Sequence, residues 1–150
     1  VLAIVMCAVL FGWALSISRF PQFIGTAITE WSTDPLVILL LVNMLLLIVG
    51  CFMESIAALL ILVPILVPVA IKVGIDPIQF GVVFVLNLMI GTLTPPVGIV
   101  LFVVAKVANI SFERVTRATL PFLVPLIAVL AAITLWPPLT TWLPGLLFSR

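Results

Sequence analysis

The chain has 150 residues, of which 65% are hydrophobic and 7% charged, with a net charge of +1 and no histidine. A soluble domain carries about 25% charged residues, so this composition excludes a soluble globule and points to a polytopic α-helical membrane protein. No basic patch or motif points to nucleic acid, and without histidine there is no Ser-His or Cys-His pair for an enzyme.

The first residue is Val1, and the chain reads as a piece of something longer. Residues 1–18 form an apolar run that lacks the basic start and cleavage pattern of a signal peptide, and predict a first membrane helix closed by Arg19. Over residues 20–33, Phe20, Phe23, Ile24, Ala27, Ile28 and Trp31 recur at helical spacing between polar residues. This pattern predicts an amphipathic helix at the membrane surface, with a solvated loop as the alternative. Cys7 and Cys51 are too few and too far apart for a metal framework and read as small buried hydrophobes.

Residues 35–71 are nearly all apolar. One helix of that length would run about 55 Å, and two full spans of about 20 residues each would not fit. The stretch therefore predicts a re-entrant hairpin with arms Leu36 to Val49 and Ile56 to Ala70 and a tip at Gly50 to Ser55. The tip holds Glu54, the one carboxylate between Asp34 and Asp76. An acidic group at membrane depth defaults to a functional reading, but a wet tip where Glu54 only bonds a backbone amide fits equally well.

Gly74-Ile75-Asp76-Pro77 predicts a stop followed by a new start. The run over 77–108 would be a single helix but for Gly91-Thr92-Leu93-Thr94-Pro95-Pro96-Val97-Gly98. Two adjacent prolines remove two backbone donors and push the residue before them out of the α region. The helix should break near the bilayer midplane, where freed carbonyls and amides need partners other than lipid. Residues 106–117 predict a short aqueous loop, with one turn of surface helix as the alternative, and its Lys106, Arg114 and Arg117 favour the cytoplasm, with the hairpin mouth outside. A last span is expected over 119–136, followed by an interfacial tail with Trp136 and Trp142.

If the hairpin tip and the broken helix face each other, the carbonyls of Gly50 and Gly91 converge with the hydroxyls of Thr92, Thr94 and Ser55. Such a neutral, all-oxygen set suits a monovalent cation such as sodium. The starts of the returning arms, near Glu54 and Ser55 and near Pro95 and Val97, carry free amides and suit a carboxylate substrate. Thr92 and Thr94 have a plainer alternative as caps of freed backbone groups, and Gly50 as a turn residue.

Three stretches together resemble the large membrane subunit of tripartite ATP-independent periplasmic (TRAP) transporters: Met44 to Pro68 (MLLLIVGCFMESIAALLILVPILVP), Gly74 to Pro77, and Gly91 to Gly98 (GTLTPPVG). The resemblance covers essentially the whole chain, as the C-terminal part of a larger subunit. It implies an elevator-type transporter repeat with a re-entrant helical hairpin and a discontinuous transmembrane helix. It also implies sodium-driven uptake of organic acids across the inner membrane, together with a small membrane subunit and a periplasmic binding protein. By motif position Gly50, Gly91 and Thr94 would be sodium ligands, with Thr92 a weaker carry-over. No cofactor is expected beyond sodium as coupling ion. Two other readings compete: a divalent-anion/sodium symporter of related architecture, whose Ser-Asn-Thr signature is missing here, and a non-transporting membrane scaffold.

Overall fold

The computed structural model describes residues 2–18, 26, 34–95 and 97–148. The surface helix expected over 20–33 falls almost wholly outside them. Among the described residues seven helices are bounded, in chain order: α1 (Leu2–Ile17), α2 (Pro35–Phe52), α3 (Ser55–Lys72), α4 (Pro77–Thr92), α5 (Ile99–Ala108), α6 (Phe112–Leu135) and α7 (Pro138–Phe148). There is no strand among the described residues.

One device starts two of these helices. At α2, Asp34 is extended and its carboxylate accepts from the Leu36 amide at 3.0 Å, with Pro35 as the first helical residue. At α4, Asp76 accepts from the amides of Ile78 (2.8 Å) and Gln79 (3.2 Å), with Pro77 next. An aspartate cap satisfies orphan donors and contributes about 1 kcal/mol, and proline fits the first turn because its missing N–H would have no partner there. Between these helices α3 stops on Gly74, at φ +82°, with Gly74 N–H bonding Ile71 O and Ile75 N–H bonding Ala70 O, both at 3.0 Å. That pair of bonds is the Schellman closure, which needs a left-handed residue where only glycine is free of Cβ strain. Ile75 then turns inward and is buried with Ala70.

Among the described residues three helices, α2, α3 and α6, are long and apolar enough to cross a membrane. The expected short hairpin arms are each longer than predicted. α2 and α3 have 18 residues apiece, about 27 Å, because the Asp34 cap starts α2 early and α3 runs past Pro64 and Pro68 to Lys72. The last span also begins earlier than residue 119. Glu113, Arg114 and Arg117 lie in the opening turns of α6, a 24-residue helix that continues through Pro121 and Pro125, rather than in a loop. The tail after Trp136 is helical.

α4 is the centre of the packing. Its Phe80, Phe84 and Leu88 join Ile38, Leu39, Val42 and Leu46 of α2 and Ala58, Ile65, Leu66 and Ala70 of α3 in one buried cluster. On its other side Val83 and Ile90 meet Leu123, Leu130 and Ile133 of α6. α5 lies on the start of α6 through Leu101, Ala105 and Val115, with the Phe102 and Phe112 rings stacked at 4.2 Å. α1 packs along α3. The outer faces stay apolar: Met44 is 66% exposed and Phe122 68%. Large apolar patches of this kind are covered by lipid or by further protein.

Candidate functional site

The two interruptions of the chain differ in kind. The first is two residues long, Met53 and Glu54, both extended. The second follows Thr92 and lasts until Ile99. Its cause is in the sequence: Pro95 and Pro96 have no N–H to give to Gly91 O and Thr92 O, so the helical ladder cannot continue. Instead Leu93 N–H bonds Ile90 O (3.0 Å) and Thr94 N–H bonds Gly91 O (2.9 Å), tightening the last turn.

The two interruptions lie beside the same helix crossing. Gly50, near the end of α2, and Gly91, near the end of α4, meet backbone to backbone. A methyl group on Gly91 would lie 2.7 Å from Gly50 Cα and 2.8 Å from its carbonyl carbon, and one on Gly50 would lie 3.1 Å from Gly91 Cα. Neither gap has room for a Cβ without moving a backbone. Gly50 is therefore a close-approach residue inside α2, and the tip itself is Met53-Glu54.

Several carbonyls at these two helix ends lack a backbone donor among the described residues. Val49 O accepts from Met53 N–H (2.9 Å), but no backbone N–H reaches the carbonyls of Gly50, Cys51, Phe52 or Thr92 among the described residues. The Thr92 hydroxyl donates to Met89 O and the Thr94 hydroxyl to Ile90 O, each at 2.7 Å. Both threonines thus cap α4, as the plainer reading expected. A hydroxyl that gives its proton to the helix keeps its lone pairs turned elsewhere, so capping and cation ligation use different parts of the same oxygen. The donor set is neutral oxygen throughout, the type a hard monovalent cation accepts.

The starts of the two returning helices contrast. Glu54 is exposed and caps α3, its carboxylate accepting from Ala57 N–H at 3.1 Å. Ser55 is half-buried in the first turn of α3. At α5 the capping position is Gly98, left-handed at φ +53° and without a side-chain bond. Its carbonyl takes Leu101 N–H (2.8 Å), and the amides of Ile99 and Val100 have no acceptor among the described residues. Pro95 and Val97 are half-buried beside this opening. The structure thus brings Gly50 to Gly91, with Thr92 and Thr94 next along the chain from Gly91, while no hydrogen bond joins Glu54 or Ser55 to residues 93–98 among the described residues.

A second polar group lies deeper and was not singled out from the sequence. Asn43, Gln79, Asn87 and Thr134 are all buried, Asn87 completely. Asn87 Nδ2 donates to Asn43 Oδ1, Asn43 Nδ2 donates to Thr134 Oγ1 (2.9 Å), and Thr134 Oγ1 donates to Leu130 O (2.7 Å). Gln79 Nε2 reaches the carbonyls of Ile133 (3.1 Å) and Thr134 (3.2 Å), which the end of α6 leaves open. The signal was available: a lone amide inside an apolar helix has no lipid partner and must find a protein one.

The fold and the crossing define a multi-pass, all-helical membrane protein whose central helix is interrupted beside a glycine contact. Over residues 1–139 the chain matches the family described as "Tripartite ATP-independent periplasmic transporter, DctM component", and it belongs to that family. It is 52% identical over 142 residues to the sialic acid TRAP transporter large permease protein SiaM of Vibrio cholerae, covering 95% of this chain and 33% of that protein. It is 42% identical over 142 residues to the C4-dicarboxylate TRAP transporter large permease protein DctM of Pseudomonas aeruginosa, covering 95% and 33%. It is 43% identical over 145 residues to the isethionate TRAP transporter permease protein DctMQ of Oleidesulfovibrio alaskensis, covering 97% and 23%. The chain therefore spans a third or less of the length of these relatives.

Proposed function

We propose that this chain is part of a permease that couples sodium entry to the uptake of small organic acids across the inner membrane. The Gly50–Gly91 crossing carries the reading, because it sets open carbonyls of α2 and α4 beside two threonine hydroxyls where the central helix unwinds. Interrupted helices of this kind hold coupling ions in secondary transporters through unwound carbonyls, and hold anionic substrate at half-helix N-termini. Gly50, Gly91, Thr92 and Thr94 are assigned to sodium. The open start of α5, with Pro95 and Val97, is assigned to the substrate anion, and Glu54 and Ser55 line the approach to it.

The substrate class follows from chemistry and relatives together. Free backbone amides at a helix start take carboxylates and other oxyanions alike. The related permeases are named for sialic acid, C4-dicarboxylates and isethionate, which share an acidic oxyanion group and little else. α2 and α3 act as a re-entrant hairpin in this reading, moving with α4 as one elevator unit. A small membrane subunit and a periplasmic binding protein that delivers substrate complete the transporter.

The test uses Thr94→Val in the full-length permease, reconstituted in vesicles with its partners. Sialic acid, a C4-dicarboxylate and isethionate are offered in turn, with and without a sodium gradient. The expected result is sodium-stimulated uptake of one of them by the parent and its loss in the variant, with membrane insertion unchanged. Unaltered uptake and sodium affinity in the variant would remove the threonine from the site.

A further inference from the structure

The buried amides Asn43 and Asn87 lie on the faces that carry the glycines. Asn87 and Gly91 are four residues apart on α4, and Asn43 and Gly50 are seven apart on α2, so each pair shares one side of its helix. The amide bond and the glycine contact are thus two fixed points of a single interface, about 6 Å apart along α4 and about 10 Å along α2.

Between apolar helices in a membrane there is no hydrophobic force to choose a register, since lipid tails are as apolar as Leu or Val. The rest of this interface offers Ile38, Leu39, Val42 and Leu46 against Phe80, Phe84 and Leu88, none of which fixes position by direction. The amide pair does. Asn87 is 0% exposed and Asn43 8%. A slip of one residue would turn both amides by about 100°, leaving polar groups bare in an apolar interior.

The network runs one way. The Thr134 hydroxyl spends its proton on Leu130 O and must accept from Asn43 Nδ2. Asn43 must then present its oxygen to Asn87 Nδ2, and Asn87 Oδ1 is buried without a donor among the described residues. Buried polar pairs of this kind are best attested as devices that specify register.

We infer that Asn43 and Asn87 are positioning residues for the sodium site: they lock α2 against α4 in the one register that brings Gly50 to Gly91 and so sets the open carbonyls of both helix ends. This rests on the proposed sodium site. Neither asparagine touches the cation.

Replacing one partner leaves the other's polar groups stranded, whereas replacing both with apolar residues of similar shape is nearly neutral for stability. Thr134 keeps its bond to Leu130 O in either case. The experiment therefore compares Asn87→Leu, the double variant Asn43→Leu/Asn87→Leu and Thr94→Val in the purified full-length permease. Binding of radioactive sodium and thermal stability are measured on each. The expected result is a double variant that melts at or above the parent temperature, with sodium binding about tenfold weaker, the scale of one interhelical hydrogen bond. A double variant with parental sodium affinity overturns the inference, even if Asn87→Leu fails to fold. If Thr94→Val also binds sodium as the parent does, the sodium site itself falls. If Thr94→Val loses binding while the double variant retains it, only the positioning role falls.

Discussion

The two breaks in this chain are solved differently. At Met53-Glu54 the chain supplies its own anion: the Glu54 carboxylate occupies the start of α3, and the break closes within two residues. At 93–98 the chain supplies a left-handed glycine and no side-chain cap, and the start of α5 stays open. Both helix ends carry the same partial positive charge and the same surplus of amides. One holds a carboxylate over its first turn, on Ala57 N–H, and the other has no side chain there. The sequence alone does not separate the two starts, because the cap turns on where a single carboxylate points.

Four substitutions in the full-length permease break or sharpen the comparison. The largest effect is expected from Gly91→Ala, which strikes the contact shared by both breaks. Its methyl group would lie 2.7 Å from Gly50 Cα, so α2 and α4 must part, at an overpacking cost of about 3 kcal/mol, or roughly a hundredfold in any equilibrium that needs the contact. Sodium-driven uptake in vesicles should fall to background. Gly50→Ala, where the gap is 3.1 Å, should do less damage, and a larger loss there would show that the crossing is not what matters.

Next comes Gly98→Asp, which makes the second break a copy of the first. Aspartate tolerates the left-handed conformation better than most residues, and its Cβ would meet the Leu101 side chain first, at 2.9 Å, and the Thr94 carbonyl oxygen at 3.2 Å. The new carboxylate competes with substrate for the amides of α5. Substrate affinity should drop about tenfold while sodium binding stays within a factor of about two. An unchanged substrate KM would close the α5 start as an anion site.

The smallest effect is expected from Glu54→Ala. It removes an exposed cap worth about 1 kcal/mol and should lower Tm by a few degrees. Uptake should continue. Loss of uptake by a well-folded Glu54→Ala protein would give the carboxylate a direct part in transport and erase the distinction between the two ends.

Much of this molecule was written in short-range chemistry. Asp34-Pro35 and Asp76-Pro77 start helices because each supplies a cap and removes a donor that would go unpaired. Gly74 stops α3, and Pro95-Pro96 break the central helix, for reasons that involve only a few neighbouring residues. Pro121 and Pro125 show the limit of that logic, since α6 runs through both. A proline ends a helix only when nothing nearby holds the segment together, and the packing of Leu123 and Leu130 on α4 does hold it. That Gly50 serves an approach rather than a turn, that Glu54 caps α3, and that Asn43 finds Asn87 across 44 residues were decided in three dimensions. Backbone rules act between residues a few positions apart and are legible in order along the chain. Contacts between helices depend on which faces meet, and in a sequence this uniformly apolar every face looks alike until the bundle is assembled.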